Sequence, residues 1–276
     1  MVSSPKTRLL LFTPTAAVLS GTAIPHGLPS GVQQVFPLSV DDQRRADEWQ
    51  LLCHRELEMD GPIDGYVSLS VDRSEGRAPV LIRETPETVG GKVWRGAWLL
   101  WRALCDLRME PAFGLKDVKR VLEVGAGAGL VGILLAADHG IHVTLSESSR
   151  NAATWQNLRH NVEMNRGAMS GAIEIMELDW ADGFTTGTFD LVIGSDVLYE
   201  PHLFGNLLEV MQKAAHRAVL VQNLARKGTE HFLELCRQRG IRVSSTDVSH
   251  LDAGMGVSDA QDGVYHCWVL EFQTSQ

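Results

Sequence analysis

Between residues 123 and 130 the chain reads Glu123-Val124-Gly125-Ala126-Gly127-Ala128-Gly129-Leu130, directly after the apolar pair Val121-Leu122. This pattern indicates a strand that turns sharply into a helix. Glycine has no Cβ, so three glycines in one turn let the backbone approach a ligand closely. In open α/β sheets such ligands lie beyond the carboxyl ends of the strands. The stretch therefore predicts a turn that binds a nucleotide-like ligand.

The spacing of the glycines leaves the kind of ligand open. A dinucleotide fingerprint that starts at Gly125 requires a third glycine at position 130, which is leucine. The alternative register Gly127, Gly129 and Gly132 fits, displaced by two residues from the strand end. Glu123 precedes the first glycine by two residues, where its carboxylate can accept from backbone amides or face a cationic amino-acid group. A dehydrogenase does not usually need an acid there.

Outward from this turn, short β-branched runs alternate with helical stretches, a pattern typical of βαβ units and a mostly parallel sheet. The predicted strands are 120–124, 141–145, 173–178, 189–194, 218–222, 241–245 and 264–272, and the main helices between them are 130–138, 150–165, 202–216 and 229–238. The sequence therefore predicts an α/β fold with a doubly wound, seven-stranded, mostly parallel sheet.

The segment before this sheet has patterns of its own. Alternation over 66–71 and an extended run over 79–83, with turn residues between them, predict a β-hairpin. A helix is expected over about 97–107. Another is expected from Asp41 or Asp42 to Met59, with an acidic cap and apolar residues at helical spacing. Residues 1–38 show no period, so we expect a flexible extension there.

Composition narrows the class of protein. The 276 residues are 44% hydrophobic and 21% charged, which is typical of a globular chain. The net charge of -9 repels phosphate backbones and anionic membranes, so nucleic acid and membrane are disfavoured as partners. Four cysteines, at 53, 105, 236 and 267, form no C-x-x-C pair. We therefore expect no metal site, free thiols and a cytoplasmic location, with the nucleus as the alternative.

Two acids and a tyrosine stand where strands of the predicted sheet end. Glu147 closes the second strand, about 20 residues after the glycine turn, where an acid binds ribose hydroxyls in folds of this kind. Asp196 and Tyr199 follow the fourth strand, at the carboxyl edge where chemistry is expected. The alternative interpretation makes Asp196 a helix cap and Tyr199 a packing residue.

Taken together, these motifs resemble the seven-β-strand methyltransferases that use S-adenosylmethionine, specifically the protein-lysine branch. The glycine turn, the strand-two acid Glu147 and the family's D-x-x-Y element, Asp196 to Tyr199, occur in the family's order. Trp94 matches its N-terminal tryptophan and Trp180 the one that flanks adenine after strand three. The resemblance runs from about residue 90 to 272. It implies the strand order 3-2-1-4-5-7-6, with the last strand antiparallel.

The resemblance also assigns roles to residues. Asp196 is expected to orient the incoming nitrogen and to take part in proton removal, and Tyr199 to form an aromatic wall and a hydroxyl acceptor. The residues expected to bind the cofactor are Trp94, Glu123, Gly125, Gly127, Gly129, Glu147, Asp179, Trp180 and Ser195. Two positions depart from the family: Arg95 stands where an acidic or small residue is commoner, and Glu147 replaces aspartate. The first departure puts substrate entry in question.

The predicted function is transfer of a methyl group from S-adenosylmethionine to a lysine side chain of a protein substrate, by a monomeric enzyme. Three regions are expected: an N-terminal extension at 1–60, a hairpin and helix abutting the cofactor site at 61–115, and a methyltransferase domain at 116–276. A small-molecule N-methyltransferase, an NAD-dependent oxidoreductase and a non-catalytic cofactor-fold binding module remain as alternatives. Base methylation on nucleic acid is disfavoured by the net charge and by the Asp-Val-Leu-Tyr element, which lacks a proline pair.

Overall fold

The main sheet carries the site. The computed structural model describes residues 55–56, 67–71, 77–85, 88–105, 115–185, 188–252 and 263–272. Within them the main sheet has seven strands: β4 (Arg120–Val124), β5 (His142–Glu147), β6 (Ile173–Glu177), β7 (Leu191–Ser195), β8 (Arg217–Asn223), β9 (Arg242–Asp247) and β10 (Tyr265–Glu271). All seven lie within two residues of the predicted bounds.

The strands of the main sheet are arranged β6-β5-β4-β7-β8-β10-β9. Counted 1 to 7 along the chain, this is the order 3-2-1-4-5-7-6. The pairs from β6 to β8 are parallel, and β10 is antiparallel to both β8 and β9. The strand order reverses between β4 and β7, so the carboxyl ends of these two strands flank the crevice of a doubly wound sheet. The predicted fold class is confirmed.

Helices cover both faces of the sheet. They are α1 (Arg95–Cys105), α2 (Leu130–His139), α3 (Ala152–Met164), α4 (Phe204–Ala214) and α5 (Thr229–Gln238). Buried residues of α1, α2 and α3 form one apolar core with one face, and those of α4 and α5 form a second core with the other. No helix among the described residues is long and apolar enough to cross a membrane.

The N-terminal segment forms a small separate sheet. Its strands are β1 (Arg55–Glu56), β2 (Val67–Val71) and β3 (Val80–Glu84), and the antiparallel pairing of β2 with β3 confirms the predicted hairpin. The helix predicted up to Met59 is wrong at Arg55 and Glu56, because these residues pair with Val71 and Ser70 of β2. The rest of that predicted helix, residues 1–38 and the end of the 97–107 helix lie outside the described residues.

Three buried asparagines, two on α3 and one at its C-cap, hold β3 against the main domain. Asn165 and Asn161 each accept from a backbone N–H of β3, at Leu81 and Arg83, with N–O distances of 2.9 Å. Their amide groups donate to the carbonyls of the same two residues, at 2.7 and 3.0 Å. Asn157 also donates to the carbonyl of Arg83, at 2.9 Å. Helix α3 therefore bonds to this strand through side-chain amides at every fourth position.

Candidate active site

A cavity of about 520 Å³ opens at the carboxyl edge of the main sheet, between β4 and β7. Its volume is in the range of small-molecule and cofactor sites. All eleven residues predicted from the sequence line it: Trp94, Glu123, Gly125, Gly127, Gly129, Glu147, Asp179, Trp180, Ser195, Asp196 and Tyr199. Residues far apart in the sequence therefore meet at one site.

The glycine turn forms one wall of the cavity. Gly125, Gly127 and Gly129 have φ values of 61°, 56° and 85°, in the left-handed region that side chains disfavour. A Cβ at Gly127 would also lie 2.8 Å from the carbonyl oxygen of Gly90. Glycine is therefore required at 127 both by the backbone conformation and by the close approach of the segment that leads to α1.

Glu147 is tied to this turn. Its Oε2 accepts from the backbone N–H of Gly127 at 2.8 Å, and its Oε1 accepts from that of Ser148 at 2.9 Å. Burial raises the pKa of Glu147, against the effect of these two hydrogen bonds. The carboxylate is therefore held by backbone amides beside the cavity, where it can reach a polar ligand.

Glu123 is more deeply enclosed. It is buried on β4, and its Oε2 accepts from the backbone N–H of Gly132 at 2.8 Å. Desolvation raises its pKa to about 8; the bond from Gly132 acts against this shift, and the charge of Glu147 adds to it. The raised pKa favours the protonated form of Glu123, and its Oε2 accepts from a backbone amide, while its role in cofactor binding stays a prediction.

Asp179, Trp180 and Trp94 lie on two sides of the cavity. Asp179 accepts from the N–H of Ala181 at 2.9 Å and pairs with Arg150 at 2.9 Å. Trp180 is 8% exposed and packs over Gly125, where an added Cβ would lie 3.4 Å from the indole Cζ2. The Trp94 indole N–H donates to the carbonyl of Val89 at 2.9 Å. Two indoles thus line the cavity, and aromatic rings of this kind can contact a flat or cationic ligand.

Asp196 follows β7 in the left-handed backbone region that residues other than glycine seldom adopt, with φ 52°. Its N–H donates to the carbonyl of Val221 at 2.9 Å, and its Oδ2 accepts from the N–H of Gly96 at 3.1 Å. Gly96 lies in the first turn of α1, so the carboxylate bonds to a helix start other than the one that follows it. Asp196 is 6% exposed. A buried carboxylate thus lines the cavity beside Ser195, the last residue of β7.

The sequence also singled out Tyr199, as an aromatic wall of the site, and Arg95, as a departure from the family. The Tyr199 ring is half-exposed and lies 6.5 Å from that of Trp180, between centroids. Desolvation, together with the charges of Glu147, Glu200 and Asp179, raises the pKa of Tyr199 to about 12, so its hydroxyl stays protonated. The guanidinium of Arg95 stacks on the Tyr265 ring at 5.1 Å. Arg95 is not among the described residues that line the cavity, and its effect on substrate entry stays a prediction.

Arg226 is one of the cavity residues that the sequence patterns did not indicate. Arg226 follows β8, lines the cavity and approaches Asp196, with 3.6 Å between its Nε and Oδ1. Its guanidinium also lies over the Trp94 ring, 5.1 Å from the centroid. A single arginine in a polar turn carries no periodic or motif signal, so only the fold reveals this position.

The strand order, the glycine turn at its reversal point and the acid at the end of β5 define the class: a methyltransferase that uses S-adenosylmethionine. Comparison with known families gives the finer identification. A family described as lysine methyltransferase matches residues 78–239, more than half of the chain. The chain therefore belongs to the lysine methyltransferase family.

Individual relatives act on different side chains. Protein N-lysine methyltransferase METTL21A of Danio rerio is 33% identical over 52% of this chain and 68% of that protein. Histone-arginine methyltransferase METTL23 of Xenopus laevis is 34% identical over 49% of this chain and 58% of that protein. Protein-lysine N-methyltransferase EFM3 of Saccharomyces cerevisiae is 27% identical over 63% of this chain and 58% of that protein. The chain thus spans more than half, and not the whole, of each of these relatives.

Proposed function

We propose that this enzyme transfers a methyl group from S-adenosylmethionine to the side-chain amine of lysine in a protein substrate. The observation that carries the proposal is the position of Asp196, a buried carboxylate that lines the same cavity as the glycine turn. The family of the chain and two of the three relatives above support lysine as the target.

The described residues fit this cofactor. Three features support this: the glycine turn leaves room for a ligand beside the backbone, the Glu147 carboxylate can accept from ribose hydroxyls, and the Trp94 and Trp180 indoles can contact adenine or the sulfonium. The cofactor supplies an electrophilic methyl carbon, which the amine nitrogen attacks as the methyl–sulfur bond breaks with its electron pair retained by sulfur. The methylated product would leave as an ammonium, so each transfer releases one proton, the one that the lysine gives up before the attack.

Asp196 and Tyr199 are proposed to orient the amine. An in-line displacement depends on alignment, so residues that fix the nitrogen behind the methyl group contribute much of the catalysis. Asp196 accepts from an N–H of the substrate amine, and Tyr199 limits the approach with its ring and offers its hydroxyl oxygen. Because the amine must be neutral to attack, the lysine has to lose a proton from a reference pKa of about 10.4.

We also propose a cellular compartment, an oligomeric state and a kind of partner for this enzyme. In the described part of the chain, Cys236 and Cys267 are buried free thiols, which supports a reducing compartment, the cytoplasm or the nucleus. We propose a monomer, to be tested by light scattering of the purified chain. The net charge of -9 supports a protein partner with a basic lysine-bearing surface over nucleic acid.

The test is methyl transfer from labelled cofactor to a eukaryotic cell extract, followed by hydrolysis and identification of the methylated amino acid. Label in methyl-lysine supports the proposal, and label in methyl-arginine would move the target to that of the METTL23 relative. Label confined to small molecules, or no transfer, would contradict it. Asp196→Asn should reduce transfer at least a hundredfold with little change in S-adenosylhomocysteine affinity, whereas exposed Asp117→Asn should match the unmodified enzyme.

A further inference from the structure

Arg226 holds a position between two residues of the site. Its side chain is 21% exposed, against 3% for that of Asp196, and its Nε lies 3.6 Å from the Asp196 Oδ1. The face of Trp94 covers the guanidinium on another side. Its own carbonyl accepts from the hydroxyl of Thr229 at 2.9 Å, which ties the turn to the start of α5. The guanidinium is therefore held in the cavity by a carboxylate, an indole and an anchored backbone.

This position addresses a difficulty in the proposed reaction. A lone carboxylate beside the target nitrogen favours its ammonium form, which has no lone pair for attack. A nearby guanidinium balances that charge, and arginine remains charged at every physiological pH. The carboxylate oxygens can still accept a hydrogen bond while the pair as a whole is neutral.

We propose that Arg226 is a positioning residue that acts through Asp196: it balances the carboxylate so that Asp196 orients a neutral lysine amine without holding it as ammonium. This inference rests on the proposed function. It assigns to Arg226 a role in the reaction that lies outside both the glycine turn and the D-x-x-Y element.

Other charged groups also act on this region. Lys92 precedes α1, Glu147 ends β5, Arg150 precedes α3, and Asp179 and Glu200 follow β6 and β7; all five line the cavity. Arg95 lies on α1 beside Gly96, with its guanidinium on Tyr265. Among the described residues that line the cavity, Arg226 lies 3.6 Å from Asp196, and Arg150 pairs with Asp179 and Asp182. The proposal therefore concerns the charge that Arg226 adds beside the Asp196 carboxylate.

The test is the pH dependence of methyl-lysine formation between pH 6.5 and 9.5, with labelled cofactor and the cell extract. Arg226→Gln should move the acid limb upward by about one pH unit, so that its rate falls about tenfold near pH 7 and much less at pH 9. Arg226→Lys should keep the limb near its original place. Arg226→Met provides a second neutral variant if the first does not fold, and exposed Arg242→Gln on β9 is the control.

The outcomes separate the two proposals. An inactive unmodified enzyme contradicts the proposed function. If the enzyme is active and its neutral Arg226 variants keep the original pH profile, whatever their rate of methyl transfer, the role of Arg226 is overturned and the proposed function stands. A loss confined to S-adenosylhomocysteine affinity in calorimetry also overturns that role, because Arg226 would then act only by supporting Trp94. A shifted profile restored by Arg226→Lys supports the inference.

Discussion

The carboxylate of Asp196 accepts a hydrogen bond from the backbone N–H of Gly96, a residue 100 positions earlier in the chain, at 3.1 Å. A Cβ at Gly96 would lie 2.3 Å from Oδ2 of Asp196, so any side chain there must displace the carboxylate. The start of α1 therefore sets the position of the residue proposed to orient the substrate nitrogen.

Gly96→Ala should reduce methyl transfer at least tenfold, because a displacement of about 1 Å at a reacting group is costly. The affinity for S-adenosylhomocysteine, measured by calorimetry, should change less than threefold. Gly167→Ala is the matched control, since a Cβ there meets no atom within 4 Å. Unchanged transfer in Gly96→Ala would show that the position of Asp196 is not critical.

Glu147→Ala should weaken S-adenosylhomocysteine binding about tenfold or more. The change removes a charged acceptor proposed for the ribose and releases the N–H of Gly127, which now donates to Glu147. The affinity of Glu147→Gln should lie between those of Glu147→Ala and the unmodified protein, because the amide keeps an acceptor oxygen without the charge. Isothermal titration gives the affinities, with exposed Glu163→Ala as control. Equal affinity in all four proteins would exclude Glu147 from cofactor binding.

Glu123 predicts a pH dependence of stability. Its pKa is about 8 in the folded protein against 4.5 as the reference, so between these values the folded state binds a proton that the unfolded state lacks. The free energy of unfolding should therefore fall as pH rises from about 5 to 8, by roughly 1 kcal/mol per pH unit from this group. The stability that comes from the protonated Glu123 is fully present below the reference pKa of 4.5 and is lost as pH rises through the folded-state pKa of about 8.

Urea unfolding at pH 5.5, 7 and 8.5 checks this expectation. Glu123→Gln keeps an acceptor for the N–H of Gly132 and cannot ionise, so its stability should fall less with pH than that of the unmodified protein. Some dependence should remain, because burial also raises the pKa of Glu147. Parallel curves for the two proteins would show that Glu123 is ionised in the fold.

Asn161→Ala should lower the free energy of unfolding by about 2–3 kcal/mol. The side chain is fully buried and bonds to both backbone groups of Arg83 and to the carbonyl of Ala128, at 2.9–3.0 Å. Its loss leaves these buried groups unsatisfied. Gln156→Ala, on the exposed side of the same helix, should cost less than 0.5 kcal/mol. Similar values for both would contradict a structural role for the asparagine contacts.

The main sheet was predictable because its strands are short β-branched runs separated by helices with clear ends. The strand bounds are correct within two residues, and α5 has the predicted bounds. The strand order came from the family resemblance, since periodicity carries no information about neighbours. The helix predicted over 41–59 is wrong at Arg55 and Glu56, where pairing with β2 outweighs local helical spacing.

The site was predictable where residues follow strand ends or belong to a motif. Glu147 and Asp196 come directly at the ends of β5 and β7, so the fold brings them to the same cavity. Gly96 and Arg226 were not found, because their contacts are with residues far away in the sequence and leave no local pattern. The asparagines at 157, 161 and 165 recur at every fourth residue, a signal that was present in the sequence. Their binding roles, like those of the other cavity residues, stay predictions.

The amide contacts from α3 to Leu81 and Arg83 have a consequence for self-association. These two residues point their backbone groups away from β2, along the side of β3 that would otherwise be open. An open strand side can template pairing with another molecule and begin aggregation. Because asparagine side chains occupy these groups within the same molecule, a second copy has no free ladder to extend at Leu81 and Arg83.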